Sequence, residues 1–107
     1  MKSEITIDVA KSFSDMPYGR NEKDGKFNGF AFRKLLVEKL SEYQKVKVDL
    51  NGTLGCGSSF TDEAFGGLVA YEGFKPEEVL ERVEIIYRYD SIVRTIRKYI
   101  EDAKPAS

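Results

Sequence analysis

The residues of this sequence that are best placed for chemistry are two adjacent serines, Ser58 and Ser59, which carry hydroxyl groups. They follow a glycine-rich stretch, residues 51–57, and precede an apolar pattern that predicts a helix. A helix N-terminus offers free backbone N–H groups and the positive end of the helix dipole, which together favour an anion. A phosphoryl group on either serine would gain charge-assisted hydrogen bonds there and add about two negative charges to the surface. Ser58 and Ser59 are therefore candidate phosphorylation sites.

The same serines also fit a purely structural role. Ser59 followed three residues later by Asp62 matches a capping box, and the spacing alone favours that interpretation. Asp62 and Glu63 would stabilise the first helical turn, although their charges would repel a phosphate. Catalysis by either serine is not expected, since neither a histidine nor an obvious lysine base lies nearby in the sequence.

Histidine is absent from the sequence, and there is one cysteine. This composition excludes Ser-His and Cys-His nucleophile pairs and histidine acid–base catalysis, and it leaves no cluster of soft metal ligands. Residues 51–57 lack the lysine of a phosphate-binding P-loop. Cys56 is interpreted as a small packing residue. We therefore expect a non-enzymatic domain without a metal or a cofactor.

The charges are many but balanced. Seventeen basic residues face eighteen acidic ones, for a net charge of −1, so the sequence does not favour nucleic-acid binding. The start of the chain does not resemble a signal peptide, and no apolar stretch approaches membrane-spanning length. The sequence thus predicts a cytoplasmic protein that does not bind membranes.

Periodicity predicts the elements that position these residues. Alternating apolar residues predict strands over residues 5–9, 46–50 and 83–87. Helices are expected from Asn28 as N-cap, over residues 61–72, from Pro76 and from Asp90. Strands that alternate with helices predict a single α/β domain, residues 1–107, with parallel neighbours in its sheet and a frayed tail at residues 104–107.

Residues 11–29 are irregular, with a turn and a short hairpin expected around Asp24 and Gly25. The polar residues Arg20 and Asp24 of this segment are either a solvated turn or a rim around the serine loop. Ligands and partners of open α/β sheets tend to meet loops at the carboxyl ends of strands, and residues 50–60 form such a loop.

The sequence resembles the STAS domains of bacterial anti-sigma-factor antagonists. In that family, a strand ending in Asp-Leu leads to an Asp-Ser-Ser-Gly-type motif at a helix start; the matching residues are Asp49-Leu50 and residues 57–60. The chain more closely resembles the family of STAS-like domains of unknown function over roughly residues 5–90. The matching residues are Pro17-Tyr18-Gly19-Arg20, Asp24-Gly25, residues 28–33 and residues 57–68.

The resemblance implies a small mixed sheet with helices packed on it. It also implies a partner, an ATP-dependent kinase of the histidine-kinase-like ATPase superfamily, and inactivation by phosphorylation at the position of Ser58, next to Ser59. Gly57 replaces the aspartate of the antagonists and Phe60 replaces their glycine. Phe60 is therefore either an interface contact or a core residue.

The sequence thus favours a regulatory protein-interaction module. The expected partner-binding residues are Gly57, Phe60, Asp62, Glu63 and Phe65, with a possible rim of Arg20, Asp24 and Arg33. The alternative is a sensor of a small ligand or anion, such as a nucleotide or phosphate, bound at the glycine loop and the helix N-terminus.

Overall fold

A parallel sheet forms the centre of the molecule. In the computed structural model, which describes residues 1–106, three strands are ordered β1 (Lys2–Asp8), β2 (Tyr43–Asp49) and β3 (Val83–Ile86). Ile5 of β1 lies opposite Val46, which in turn lies opposite Val83. The predicted α/β class, with helices packed on a small sheet, is confirmed. The strands described are all parallel, whereas the resemblance implied a mixed sheet.

Helical segments make the crossovers that parallel strands require. The short α1 (Val9–Ser12), a 3₁₀ turn (Glu22–Asp24) and α2 (Gly29–Glu42) connect β1 to β2. Between β2 and β3, the chain forms α3 (Ser58–Thr61), a π turn (Asp62–Gly66), α4 (Gly67–Ala70) and α5 (Pro76–Arg82). The final helix is α6 (Asp90–Asp102). Because α3, the π turn and α4 are contiguous, residues 58–70 are called the motif helix below.

The helices cover one face of the sheet. Val46 and Val48 of β2 are fully buried on that face, together with Leu50 beyond the strand. On the opposite face Lys45 pairs with Glu84 at 3.2 Å and Lys47 pairs with Glu4 at 3.0 Å. Sequential right-handed crossovers that advance in one direction place all helices on the same side, which accounts for this two-layer arrangement.

The segment from Lys11 to Asn28 contains no strand in the part of the chain that the structure describes, so the hairpin expected there is wrong. The 3₁₀ turn takes its place, and Gly25 closes it at a φ of 132°, a conformation that favours glycine. The predicted turn is therefore confirmed. The segments on either side of it are joined by backbone hydrogen bonds, from the Tyr18 N–H to the Phe27 carbonyl at 3.0 Å and from the Gly29 N–H to the Gly19 carbonyl at 2.8 Å, but they do not form strands.

Asn28 caps α2, as predicted. Its Oδ1 accepts a hydrogen bond from the Ala31 N–H at 2.8 Å, and its Nδ2 donates to the Gly25 carbonyl at 2.7 Å. Because the side chain is 4% exposed, both polar groups need these partners. Asn28 thereby fixes the end of the irregular segment to the start of α2.

The chain's last described residues return to the motif helix. The N–H of Ala106 donates to the carbonyl of Ala70 at 2.9 Å, so the part of the predicted frayed tail that is described is attached. Ser107 lies outside the described residues. Within residues 1–106, none of the helices has both the length and the apolar character needed to cross a membrane.

Candidate functional site

The two serines lie at the start of the motif helix. Gly57 precedes the helix in an extended conformation, with φ of −72° and ψ of 157°. Ser58 is exposed and Ser59 is half-buried. The N–H of Thr61 donates to the Gly57 carbonyl at 3.1 Å, so the N–H groups of residues 58–60 precede the first intrahelical hydrogen bond. An exposed serine, Ser58, therefore lies at a helix N-terminus.

The predicted capping box is wrong. The helix begins at Ser58, so Ser59 lies inside its first turn and not at the N-cap. Gly57 occupies the cap position, and among the described residues no side chain caps this helix. Glycine is tolerated there because the N-cap residue need not be helical. The hydroxyl groups of both serines are thus not committed to capping.

Phe60 and Phe65, expected among the partner-binding residues, belong to the core. Both side chains are fully buried. The Phe32 ring lies between them, with centroids 5.7 Å from Phe60 and 6.0 Å from Phe65, and Phe13 lies 6.2 Å from Phe60. Aromatic residues gain more from this close packing than from exposure to water, which corrects their assignment to the contact surface. Gly57 is exposed, and Asp62 and Glu63 are half-buried.

Arg20 connects the irregular segment to the motif helix. Its Nη1 lies 3.0 Å from Asp62 and 3.4 Å from Glu63. The hydrogen bond to Asp62 raises the pKa of Arg20, against a smaller opposing effect of burial. The backbone N–H of Arg20 donates to Asp24 at 3.0 Å, which holds the turn that presents the guanidinium. The structure therefore places the expected rim residues Arg20 and Asp24 beside the serine-bearing helix.

Arg33, also expected as a possible rim residue, is buried and does not lie on an exposed rim. It is 4% exposed. Its Nη1 lies 2.6 Å from Glu63 and its Nε lies 2.8 Å from Glu72. Two aromatic rings, Phe30 and Tyr71, each lie 4.9 Å from the guanidinium carbon. Ion pairs and cation–π contacts together compensate for desolvation, so the charge is held inside.

Glu72 completes a cluster of balanced charges. Burial opposes its ionisation, but hydrogen bonds from Lys34 and Arg33 outweigh that effect and lower its pKa below the ordinary value of 4.5. The cluster consists of the cations Arg20, Arg33 and Lys34 and the carboxylates Asp62, Glu63 and Glu72. Asp62 and Glu63, at the start of the π turn, are thereby neutralised by cations from two other segments.

The motif helix widens at the π turn. Gly67 donates its N–H to the Asp62 carbonyl, five residues earlier. Single π turns inside helices occur frequently at functional sites. A Cβ at Gly67 would lie 2.8 Å from the Arg33 Nη1, and a Cβ at Gly29 would lie 2.8 Å from the Phe60 carbonyl oxygen. Glycine at both positions allows α2 and the motif helix to approach closely enough for the charge cluster to form.

An open groove of about 360 Å³ lies next to Gly57, between Met16–Tyr18 and Leu54–Gly57, and is called the loop groove below. Three large apolar side chains beside it face solvent: Met16 is 63% exposed, Tyr18 is 64% exposed and Leu54 is 76% exposed. The Leu54 N–H donates to the Asp15 carbonyl at 2.7 Å, which holds the two loops together. Clusters of exposed apolar side chains are typical of interaction sites.

This exposed apolar group was not predicted from the sequence. The available signal was the presence of large apolar residues among glycine and proline without helical or strand periodicity, which indicates side chains that a regular element does not bury. The spatial contact between the two loops depends on the parallel sheet, because it brings the carboxyl ends of β1 and β2 together.

Cys56 lines the loop groove with a half-buried side chain. Burial raises the pKa of its thiol. The thiolate is the reactive form of cysteine, so the thiol is poorly suited to act as a nucleophile at neutral pH. This agrees with its interpretation as a packing residue.

This geometry does not favour the alternative function, the binding of an anion, since the Arg20 guanidinium already pairs with Asp62 and Glu63. Across residues 1–106, cysteine and carboxylate side chains do not gather in a group of three that could hold a metal ion.

Comparison with known proteins identifies the family. A family model described as a STAS-like domain of unknown function matches residues 28–87, which include α2, β2, the glycine loop, the motif helix and β3. The segment with Pro17 and Arg20 precedes the matched region. Searches of curated proteins and of solved structures return no match. Since the match covers more than half of the sequence, the chain belongs to the family of STAS-like domains of unknown function.

Proposed function

We propose that this domain is a non-catalytic regulatory module that resembles anti-sigma-factor antagonists and binds a protein partner, an ATPase of the histidine-kinase-like superfamily. The family supports a regulatory fold of that kind. The observation that carries the proposal is the exposed apolar group Met16, Tyr18 and Leu54 beside the start of the motif helix. A partner that covers the loop groove would bury these side chains and contact Ser58.

Phosphorylation of Ser58 or Ser59 is the proposed switch. The backbone N–H groups at the helix start would stabilise the phosphate. Asp62 and Glu63 would oppose it, but Arg20 neutralises part of their charge at 3.0 and 3.4 Å. About two negative charges at the margin of an apolar contact would weaken binding, because docking would have to desolvate them.

The switch is tested with a full-length ATPase of this superfamily from the same genome. Incubation with Mg-ATP should add phosphate to Ser58 or Ser59, located by mass spectrometry, and the matching Ser→Ala variant should lose it. Ser41, exposed where α2 meets β2 at the opposite end of the sheet, should stay unmodified. Phosphate on Ser41 with none at the motif serines would refute the switch.

The docking surface is tested separately by binding of the same ATPase. Leu54→Asp should reduce affinity at least tenfold and leave the melting temperature nearly unchanged, because Leu54 is 76% exposed. Ser58→Asp should weaken binding by the added charge, and Ser41→Asp serves as the matched control. Wild-type affinity in both Leu54→Asp and Ser58→Asp would rule out this surface as the docking site.

A further inference from the structure

The outer edge of β1 has no partner in the described chain. β1 pairs with β2 on one side only, and within residues 1–106 its backbone makes no hydrogen bond to any other segment. The strand is seven residues long, Lys2–Asp8, and contains neither proline nor glycine. Long unprotected edges are normally interrupted or covered, because their free N–H and C=O groups can pair with another strand.

The sequence of β1 is complementary to itself in one antiparallel register. A two-fold axis perpendicular to the sheet at Ile5 places Ile5 opposite Ile5 of a second copy. The same register places Lys2 opposite Asp8, an attractive pair, and Glu4 opposite the neutral Thr6. An axis at Glu4 would oppose two glutamates, and an axis at Thr6 would oppose Glu4 with Asp8. Charge thus selects the register centred on Ile5.

A groove of about 290 Å³ runs along this edge, lined by the apolar residues Ile5, Ile7 and Leu35 and by the polar residues Thr6, Ser12 and Lys39. Ile5 and Leu35 are half-buried, so part of each side chain remains in contact with water. In the register centred on Ile5, the axis passes beside this groove, and Ile5 and Leu35 of the second copy would lie next to their counterparts. Pairing would therefore bury apolar surface in addition to satisfying the backbone.

We propose that two copies of this chain associate through antiparallel pairing of their β1 edges, centred on Ile5, to form a continuous six-stranded sheet. The axis is perpendicular to the sheet, so the helices of both copies lie on the same side. This interface is at the free edge of the sheet and not at the loop groove, so it does not depend on the proposed function.

Cysteine cross-linking tests the register. In a Cys56→Ala background, Ile5→Cys should form a disulfide-linked dimer on mild oxidation, because directly opposed Cβ atoms lie about 5 Å apart. Ser3→Cys is the matched control on the same face of the strand. Its counterpart would be displaced by four residues, about 13 Å away, so it should remain monomeric. Equal cross-linking at both positions, or none at position 5, would overturn the proposal.

Charge substitutions at Thr6 provide a second test that preserves the fold, since Thr6 is exposed. Thr6→Lys adds a cation opposite Glu4 of the second copy twice per dimer, and Thr6→Glu adds a carboxylate there. Sedimentation over micromolar to millimolar concentrations should show several-fold tighter association for the lysine variant and weaker association for the glutamate variant.

The intramolecular effect of these substitutions has the opposite sign. Lys47 lies opposite Thr6 within one copy, so the glutamate should favour the folded monomer and the lysine should oppose it. Melting temperatures at low concentration report that effect independently. A wild-type chain that remains monomeric at millimolar concentration, with association unaffected by either charge, would refute the dimer.

Discussion

At the scale of single residues, the least expected feature is the buried side chain of Arg33, for which the glycine at position 67 leaves space. Arg33 is 4% exposed between Phe30 and Tyr71, and its guanidinium passes where a side chain at position 67 would lie. Ion pairs fix the Arg33 side chain in this position, because its Nη1 lies 2.6 Å from a Glu63 oxygen and its Nε lies 2.8 Å from a Glu72 oxygen. A displaced guanidinium would leave two half-buried carboxylates without this partner.

Gly67→Ala should therefore destabilise the domain by about 2 kcal/mol through overpacking and loss of ion-pair geometry. Urea denaturation measures the change in the free energy of unfolding. Gly57→Ala is the matched control, since a Cβ there meets nothing within 4 Å and φ is −72°. Equal stabilities of the two variants would show that Arg33 can move without cost.

The structural roles of some of these residues could be predicted from the sequence, because those roles depend on local contacts, whereas the roles of others depend on distant segments. Asn28 was identified as a cap because capping depends on neighbours within the same segment. The burial of Arg33 and Phe60 depends on residues about thirty positions away, such as Glu63 and Phe32. A pattern of charges along α2 contains no information about the carboxylates that another helix brings.

At the scale of elements, local capping determines where α2 begins. The Asn28 side chain accepts from Ala31 and donates to Gly25, so it joins the helix to the 3₁₀ turn. Asn21 makes a similar cap on that short turn, where its Oδ1 accepts from the Lys23 N–H at 3.0 Å. Asn21 is exposed, whereas Asn28 is buried.

Asn28→Ala should cost about 1–2 kcal/mol, because it removes a helix cap and leaves the half-buried Ala31 N–H without its partner. Asn21→Ala should cost less than about 0.5 kcal/mol, as water can replace its bond. Thermal and urea denaturation of the two variants compare these effects directly. A larger loss of stability in Asn21→Ala than in Asn28→Ala would contradict the conclusion that Asn28 is the main residue joining α2 to the 3₁₀ turn.

Periodicity predicted the strands and most helices because burial on one side imposes regular spacing. The π turn at Asp62–Gly66 was not predicted; residues 61–72 were interpreted as a regular helix. The motif helix also begins at Ser58, whereas the predicted helix began at residue 61. Contacts with α2 and α6 determine its geometry, and these contacts are not local in the sequence. The position of Ser58 at a helix start was therefore predicted, whereas the burial of Phe60 and Phe65 was not.

At the scale of the whole molecule, the charge cluster links α2, the motif helix and the irregular segment, so acid should weaken their association. The pKa of Glu72 is lowered in the folded state. Its contribution to stability is therefore complete above the ordinary pKa of 4.5 and is lost as the pH falls through the folded value.

Glu72→Gln should lower the free energy of unfolding by about 1–2 kcal/mol at pH 7, and the difference from wild type should shrink as the pH falls below 4.5 and through the lowered pKa of Glu72. Urea denaturation across this pH range measures it. Glu81→Gln, at an exposed position in α5, should differ little from wild type at any pH. A Glu72→Gln difference that stays constant in acid would show that the ionised carboxylate is not responsible.

The parallel sheet also constrains how the chain reaches this structure. Opposed residues such as Ile5 and Val46, or Val46 and Val83, are about forty positions apart, so neither pairing can start from a tight turn. We therefore expect refolding to be slower than for helical bundles of this length, with β2 as the strand on which both closures depend.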